Sequence, residues 1–265
     1  MLGHDKLQEL LDFAVDAARQ AGNITMGYFQ TALSPERKPD RTFVTAADRQ
    51  AEERLRTLIQ DAYPDHGIIG EEFGEQRGDS GWTWIIDPLD GTASFLHGVP
   101  LFGVLLGLEV EGEVVLGVAN LPALRETVYA ARGMGCFWNG RRAAVSGVDH
   151  LKEALLLYTD GANFEPHGRE SAFRHLIAAA RMHRSWGDCY GHILVATGRA
   201  EVMLDPVMSI WDCAALLPIL LEAGGTFTDW EGRPTIRGGN AISTNGRLLD
   251  QVMQVVKKKG RRNAQ

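Results

Sequence analysis

The spacing of apolar side chains changes along the chain, and each change marks a predicted element. Leu7, Leu10, Leu11, Ala14, Ala18 and Ala21 recur every three or four positions, with Asp12, Asp16 and Arg19 between them. That period predicts an amphipathic helix running to about Phe29. A polar stretch over 34–42, carrying Pro35 and Pro39, predicts a loop. Thr45 then opens a second helix: Thr45-x-x-Asp48 matches a capping box, and Ala51, Leu55, Leu58 and Ile59 supply its apolar face. Residues 61–67 read as a turn. From Ile68 the pattern shifts to short apolar runs, which predict strands at 68–69, 82–86, 102–109, 114–119, 127–131 and 143–146, with a turn at Glu111-Gly112. In the second half, strands are predicted at 155–158, 201–204, 226–228 and 241–243. Helices are predicted at 169–181, 191–197, 209–222 and 248–258, the third of them stopped by Gly224-Gly225. Helices and antiparallel strands interspersed in this way predict a layered α+β or α/β fold, with sheets covered by helices.

Composition narrows the classes. At 265 residues the chain is long enough for one large domain or two small ones. A chain 45% hydrophobic and 23% charged is not disordered, collagenous or a coiled coil. The longest apolar stretch, 99–110, is interrupted by Pro100, Gly103 and Gly107 and falls short of the roughly 18 residues of a membrane helix. The first residues lack a basic stretch followed by an apolar one, so no signal peptide is expected, and the cytoplasm is the expected compartment. The net charge of −7 argues against a nonspecific nucleic-acid partner. Cys136, Cys189 and Cys213 form no CxxC pair, fit a reducing compartment and read as small buried hydrophobes. The basic run over 257–262 reads as a solvated helix end, with partner binding as the alternative.

Candidate chemistry lies where apolar segments end in carboxylates. In Trp84-Ile85-Ile86-Asp87-Pro88-Leu89-Asp90-Gly91-Thr92 a buried strand ends at Asp87, and Pro88 should stop its ladder. Asp90 follows three residues later, Gly91 permits a tight backbone, and Thr92 starts a helix whose free amides suit a phosphate. Two carboxylates, the Leu89 carbonyl and the Thr92 hydroxyl are hard oxygen donors, which suit magnesium or manganese. The competing reading is an Asx-type turn with two solvated aspartates. Asp212, in Trp211-Asp212-Cys213-Ala214-Ala215, also reads as a helix-start aspartate, and Glu71-Glu72 as a surface pair. Crowding these carboxylates with Asp48 beside apolar segments costs several kcal/mol unless cations neutralise them.

The four segments together resemble the inositol monophosphatase superfamily of magnesium-dependent, lithium-sensitive phosphatases. The resemblance rests on Trp84 to Thr92, on Trp211 to Ala215 with Glu222-Ala223-Gly224-Gly225, on Gly70-Glu71-Glu72, and on Val44-Thr45-x-x-Asp48. It covers nearly the whole chain and implies an αβαβα sandwich of mixed and antiparallel sheets covered by helices. Residues 1–265 would form a single phosphatase domain, with subdomains 1–147 and 148–265. It also implies roles. Glu71, Asp87, Asp90, Asp212 and the Leu89 carbonyl would hold two or three magnesium ions, with manganese as a substitute. Glu71, Thr92 and Asp48 would handle the attacking water, and the Gly91 and Thr92 amides would hold the phosphate. Five carboxylates, Asp48, Glu71, Asp87, Asp90 and Asp212, would then account for most of the negative balance.

Several segments resemble the histidinol-phosphate phosphatase branch. They are Lys38-Pro39-Asp40 leading to Val44-Thr45-Ala46-Ala47-Asp48-Arg49, Gly70 to Gly74, 94–103, Trp186-Gly187-Asp188-Cys189-Tyr190-Gly191 and Asn245-Gly246. Ala93 departs from the expected Lys or Arg after the threonine. That substrate carries an ammonium and an imidazole, so Asp188 and Asp205 are candidate contacts, joined by Asp212 and Arg184. Asp205 matches a position that accepts from inositol hydroxyls, so it does not separate the substrates. Asp188 reads equally as a helix cap. Arg184 would contact substrate or approach a neighbouring subunit's site, since many relatives are homodimers. His97 and His192 read as structural. The expected activity is magnesium-dependent hydrolysis of histidinol phosphate, a small phosphorylated metabolite of histidine biosynthesis. The alternatives are inositol or broader sugar-phosphate hydrolysis, or an inactive scaffold of the same fold.

Overall fold

Two helices form the outermost layer, α1 (His4–Tyr28) and α2 (Ala46–Ala62). Leu7, Leu10, Leu11, Ala14, Ala18 and Ala21 are buried on one face of α1, and Ala51, Leu55 and Ile59 on one face of α2. The computed structural model describes residues 3–37 and 43–257. In place of a wholly irregular loop before α2, a short antiparallel pair forms, β1 (Glu36–Arg37) with β2 (Phe43–Val44). Residues 38–42 of the expected loop, and all of the basic C-terminal run except Lys257, lie outside the described residues.

Eight strands follow: β3 (Gly67–Gly70), β4 (Gly74–Gln76), β5 (Trp82–Asp90), β6 (Gly103–Val110), β7 (Glu113–Leu121), β8 (Glu126–Ala131), β9 (Gly135–Trp138) and β10 (Arg141–Ala143). They form one sheet in the order β10-β9-β8-β7-β6-β5-β3-β4, antiparallel throughout except between β3 and β5. A one-turn helix, α3 (Thr92–Leu96), lies between β5 and β6. The apolar faces of α1 and α2 pack on this sheet against Ile68, Trp84, Ile86, Val104 and Leu106.

The second half alternates strands and helices: β11 (Leu155–Tyr158), α4 (Glu170–Ala179), β12 (Met182–Arg184), α5 (Asp188–Ala196), β13 (Val202–Asp205), α6 (Ile210–Ala214), α7 (Leu216–Glu222), β14 (Thr226–Thr228), β15 (Ala241–Thr244) and α8 (Leu249–Lys257). The strands make a five-stranded mixed sheet in the order β12-β11-β13-β15-β14. Between the two sheets lie α5, α6 and α7, whose Ile193, Ala214, Leu216 and Ile219 share a core with Ile85, Leu105 and Met203. On the far face, α4 and α8 pack Phe173, Leu176 and Val252 against Leu156, Val202 and Ile242. The result is the expected αβαβα sandwich.

Three expectations need correction. The helix expected over 209–222 is two helices, broken at Ala215. Pro218 has no N–H to return to Ala214, so the first helix cannot continue through it. The break also fits the sheet beneath. Gly107 and Gly117 face each other across β6 and β7, and a Cβ on Gly117 would come within 2.0 Å of the Ala215 carbonyl oxygen. Only Ala143 of the strand expected over 143–146 joins a sheet, because the Val145 N–H turns to the Ala223 carbonyl. The strands β4, β9 and β12 were not expected; β4 is exposed throughout and lacks an apolar alternation.

Candidate active site

The site begins with an irregularity in β5. In a regular strand, residues three apart point to opposite faces. Here Asp87 pairs with Leu105 and Asp90 with Gly103, so three residues of β5 span two of β6. That one extra residue, at Pro88-Leu89, turns both carboxylates to the same face. Pro88 therefore interrupts the ladder rather than ending it, and pairing resumes at Asp90. The Leu89 N–H donates to Asp87 Oδ1 at 2.9 Å, and the Leu89 carbonyl accepts from the Thr92 hydroxyl at 3.1 Å. Gly91 follows at φ +84°, and an added Cβ would meet the Leu101 carbonyl oxygen at 2.8 Å. Only glycine fits this corner.

Other elements bring further carboxylates to the same place. Glu71, on the turn between β3 and β4, lines a cavity of about 330 Å³ with Asp87, Leu89, Asp90, Gly91, Thr92, Asp188 and Asp212. Oxygens of Asp87, Asp90 and Asp212 lie within 4.8 Å of one another. Asp212 also accepts the Ser209 N–H through Oδ2 at 2.7 Å, which fixes the start of α6. Asp48 is built in the same way. Its Oδ2 accepts the Thr45 N–H at 2.8 Å and closes the capping box of α2, while Oδ1 meets the Thr92 hydroxyl at 3.4 Å. Each of these aspartates thus caps a helix while its side chain also lies in the cavity wall (Asp212) or against the threonine that lines it (Asp48).

Electrostatics fit a cation. Burial pushes the Asp87 carboxyl well above the usual carboxylate range, and the charges of Glu71, Asp90 and Asp212 push it further. Burial raises Asp90 to about 7, helped by Asp212, and raises Asp212 to about 7, helped by Glu71. No lysine or arginine is among the described residues lining the cavity. Clustered carboxylate oxygens without a neighbouring basic side chain are the donor set of a hard divalent cation. Phosphate-facing amides would come from Gly91 and Thr92. With α3 only five residues long, local N–H groups rather than a long helix dipole carry that attraction.

The structure places the remaining candidates unevenly. Asp188 lines the cavity, at the first position of α5, with φ +52° and Oδ2 close to Gly91. Burial and the neighbouring charges of Asp90 and Asp205 raise its carboxyl. Asp205 does not line the cavity; its Oδ2 lies 3.1 Å from His192 Nε2, and His192 Nδ1 lies 2.7 Å from Ser243 Oγ. Arg184 is exposed on the edge strand β12, donates to the His183 carbonyl and is not among the described residues lining the cavity. His97 is exposed, with Nδ1 2.8 Å from the Ala93 carbonyl oxygen, and Ala93 itself lines the cavity. The three cysteines are free and buried. Sequence reasoning missed Phe43, an exposed aromatic at the cavity wall, and Glu52, a buried carboxylate behind the Glu71 turn. Phe43 carries no spacing signal. Glu52 does, because it falls on the apolar stripe of α2.

Such a fold and site define a phosphomonoester hydrolase. A family model described as "Inositol monophosphatase family" matches residues 6–261, and the chain belongs to that family. A histidinol-phosphatase of Chlorobaculum parvum is 46% identical over 233 residues, covering 88% of this chain and 90% of that protein. A histidinol-phosphatase of Mycobacterium tuberculosis is 35% identical, covering 95% of this chain and 98% of its own. Among solved structures, the extragenic suppressor protein suhB of Bartonella henselae superposes with a TM-score of 0.89 at 32% identity, over 95% of this chain and 99% of that one.

Proposed function

We propose that the protein hydrolyses histidinol phosphate to histidinol and phosphate, as a magnesium-dependent step of histidine biosynthesis in the cytoplasm. Glu71, Asp87, Asp90, Asp212 and the Leu89 carbonyl would hold the magnesium ions. Bound magnesium supplies Lewis-acid chemistry, acidifying a water and stabilising charge on the leaving alkoxide. The chain's own groups do the rest. Gly91 and Thr92 present backbone amides to the phosphate oxygens. Glu71 accepts from the attacking water, and the Thr92 hydroxyl, held between the Leu89 carbonyl and Asp48, fixes its direction.

Asp188 is the observation that carries the substrate assignment. It puts a carboxylate in the cavity wall, close to Gly91, within reach of an ester held in that cavity. A carboxylate there pairs with an ammonium or imidazolium more strongly than with neutral hydroxyls. The 46% identical histidinol-phosphatase supports the same reading. The test is phosphate release from histidinol phosphate and inositol 1-phosphate in parallel, with magnesium. Histidinol phosphate should be favoured, and Asp188→Ala should lower its kcat/KM about 10-fold or more relative to an aryl phosphate, as expected for a lost charge-assisted contact. A preference for inositol phosphate, or equal losses on both esters, would overturn the assignment. All 265 residues act as one catalytic unit in this reading, and two copies form a homodimer in which the exposed Arg184 serves the neighbouring site. Sedimentation as a monomer would refute the dimer.

A further inference from the structure

Glu52 lies behind the cavity wall and has no part in it, yet its contacts converge on the one turn that carries Glu71. The side chain is fully buried on α2. Its Oε2 accepts the Glu72 N–H at 2.7 Å, and its Oε1 accepts the Phe73 N–H at 3.1 Å and Arg56 Nε at 2.8 Å. Arg56 Nη2 also donates to the Gly74 carbonyl at 2.5 Å. On the other side of Glu71, the backbone of Gly70 presses on the same carboxylate, where an added Cβ would come within 2.1 Å of Oε1. The turn is therefore gripped on both sides of Glu71. Glu52 stands one helical turn after Asp48, so a single face of α2 holds the Thr92 side of the cavity and the Glu71 side.

We infer that Glu52, with Arg56, is a positioning residue that aims Glu71 at the cation site and so sets metal affinity. The inference rests on the magnesium reading given above. Glu71 to Gly74 is half-buried or exposed. Releasing it should therefore weaken metal binding far more than folding. Groups that orient metal ligands in this way typically contribute 10- to 100-fold in affinity.

Manganese is the probe, titrated without substrate and followed by electron paramagnetic resonance and calorimetry, with melting of the metal-free protein alongside. Glu52→Gln keeps the shape but loses an acceptor and the charge facing Arg56. It should bind manganese about 10-fold or more weakly, with kcat recovering at high magnesium. Arg56→Gln, at a less buried position, provides the second variant and should shift affinity the same way. Wild-type manganese affinity in folded Glu52→Gln or Arg56→Gln, with only a lowered Tm, would overturn the inference and leave the metal reading intact. No manganese uptake by the wild-type chain would overturn both.

Discussion

Asp87 lies under pressure from three like charges as well as from burial, so its contribution to stability and to activity should have opposite signs. Asp87→Asn removes a carboxylate that the fold resists ionising. Activity should fall by at least about 10²-fold, the scale for removing one preorganised charge-stabilising group. The metal-free variant should melt no lower than wild type, and magnesium should no longer raise its Tm. An active Asp87→Asn enzyme would refute the site. The same pressure sets a pH dependence. Asp90 and Asp212 hold protons in the folded state up to about 7, whereas in an unfolded chain they release them near 3.8. The folded form thus binds more protons across that window, so metal-free stability should fall as pH rises from 3.8 to about 7. Melting curves taken across the window should decline by several degrees without magnesium and stay flatter with it. A metal-free Tm that rises through the window would contradict the assigned shifts.

Elements aim these residues, and one tight constraint is the glycine pair under the α6–α7 junction. A methyl group on Gly117 would strike the Ala215 backbone, which cannot move without carrying α6 and Asp212 with it. Gly117→Ala should cost about 3 kcal/mol, the upper range for overpacking, or roughly 5–10 °C in Tm for a chain of this size. It should also weaken divalent-cation binding, measured by titration. An unchanged Tm and affinity would mean that the junction is softer than its packing implies.

Much of this was legible beforehand, and the reasons are specific. Asp87-x-x-Asp90 stood out because carboxylates ended an apolar run, and Thr45-x-x-Asp48 because capping follows fixed spacing. The break at Ala215 was hidden because the apolar period runs straight through it, and only Pro218 and the distant glycines explain it. Asp205 reads as a candidate substrate contact because sequence does not reveal that His192, thirteen residues earlier, folds back to meet it.

At the scale of the molecule, the sandwich gathers Asp48, Glu71, Asp87, Asp90 and Asp212 from both halves of the chain around one cavity, or against the threonine that lines it. Ordering that cavity ties the eight-stranded sheet to the helical layer between the sheets, since the Asp90 carboxylate accepts the Cys189 N–H of α5. Magnesium bound across it should therefore stabilise the whole fold. At a hundredfold excess over its dissociation constant the gain is about 2.7 kcal/mol, roughly 5–10 °C in Tm. A chelator should reverse that gain, and a Tm indifferent to magnesium and chelator would count against an ion bridging the two halves.

The double duty of Asp48 and Asp212 decides how a dead but intact copy of this enzyme should be made. Alanine at either position would strip a helix of its first-turn acceptor along with the chemistry, so loss of turnover could not be told apart from a frayed helix. Asparagine still accepts the waiting amide through its one oxygen, and gives up the charge and the second acceptor. For trapping an uncleaved ester in a crystal or a pull-down, Asp48→Asn and Asp212→Asn are the substitutions to choose, because they separate silence from damage.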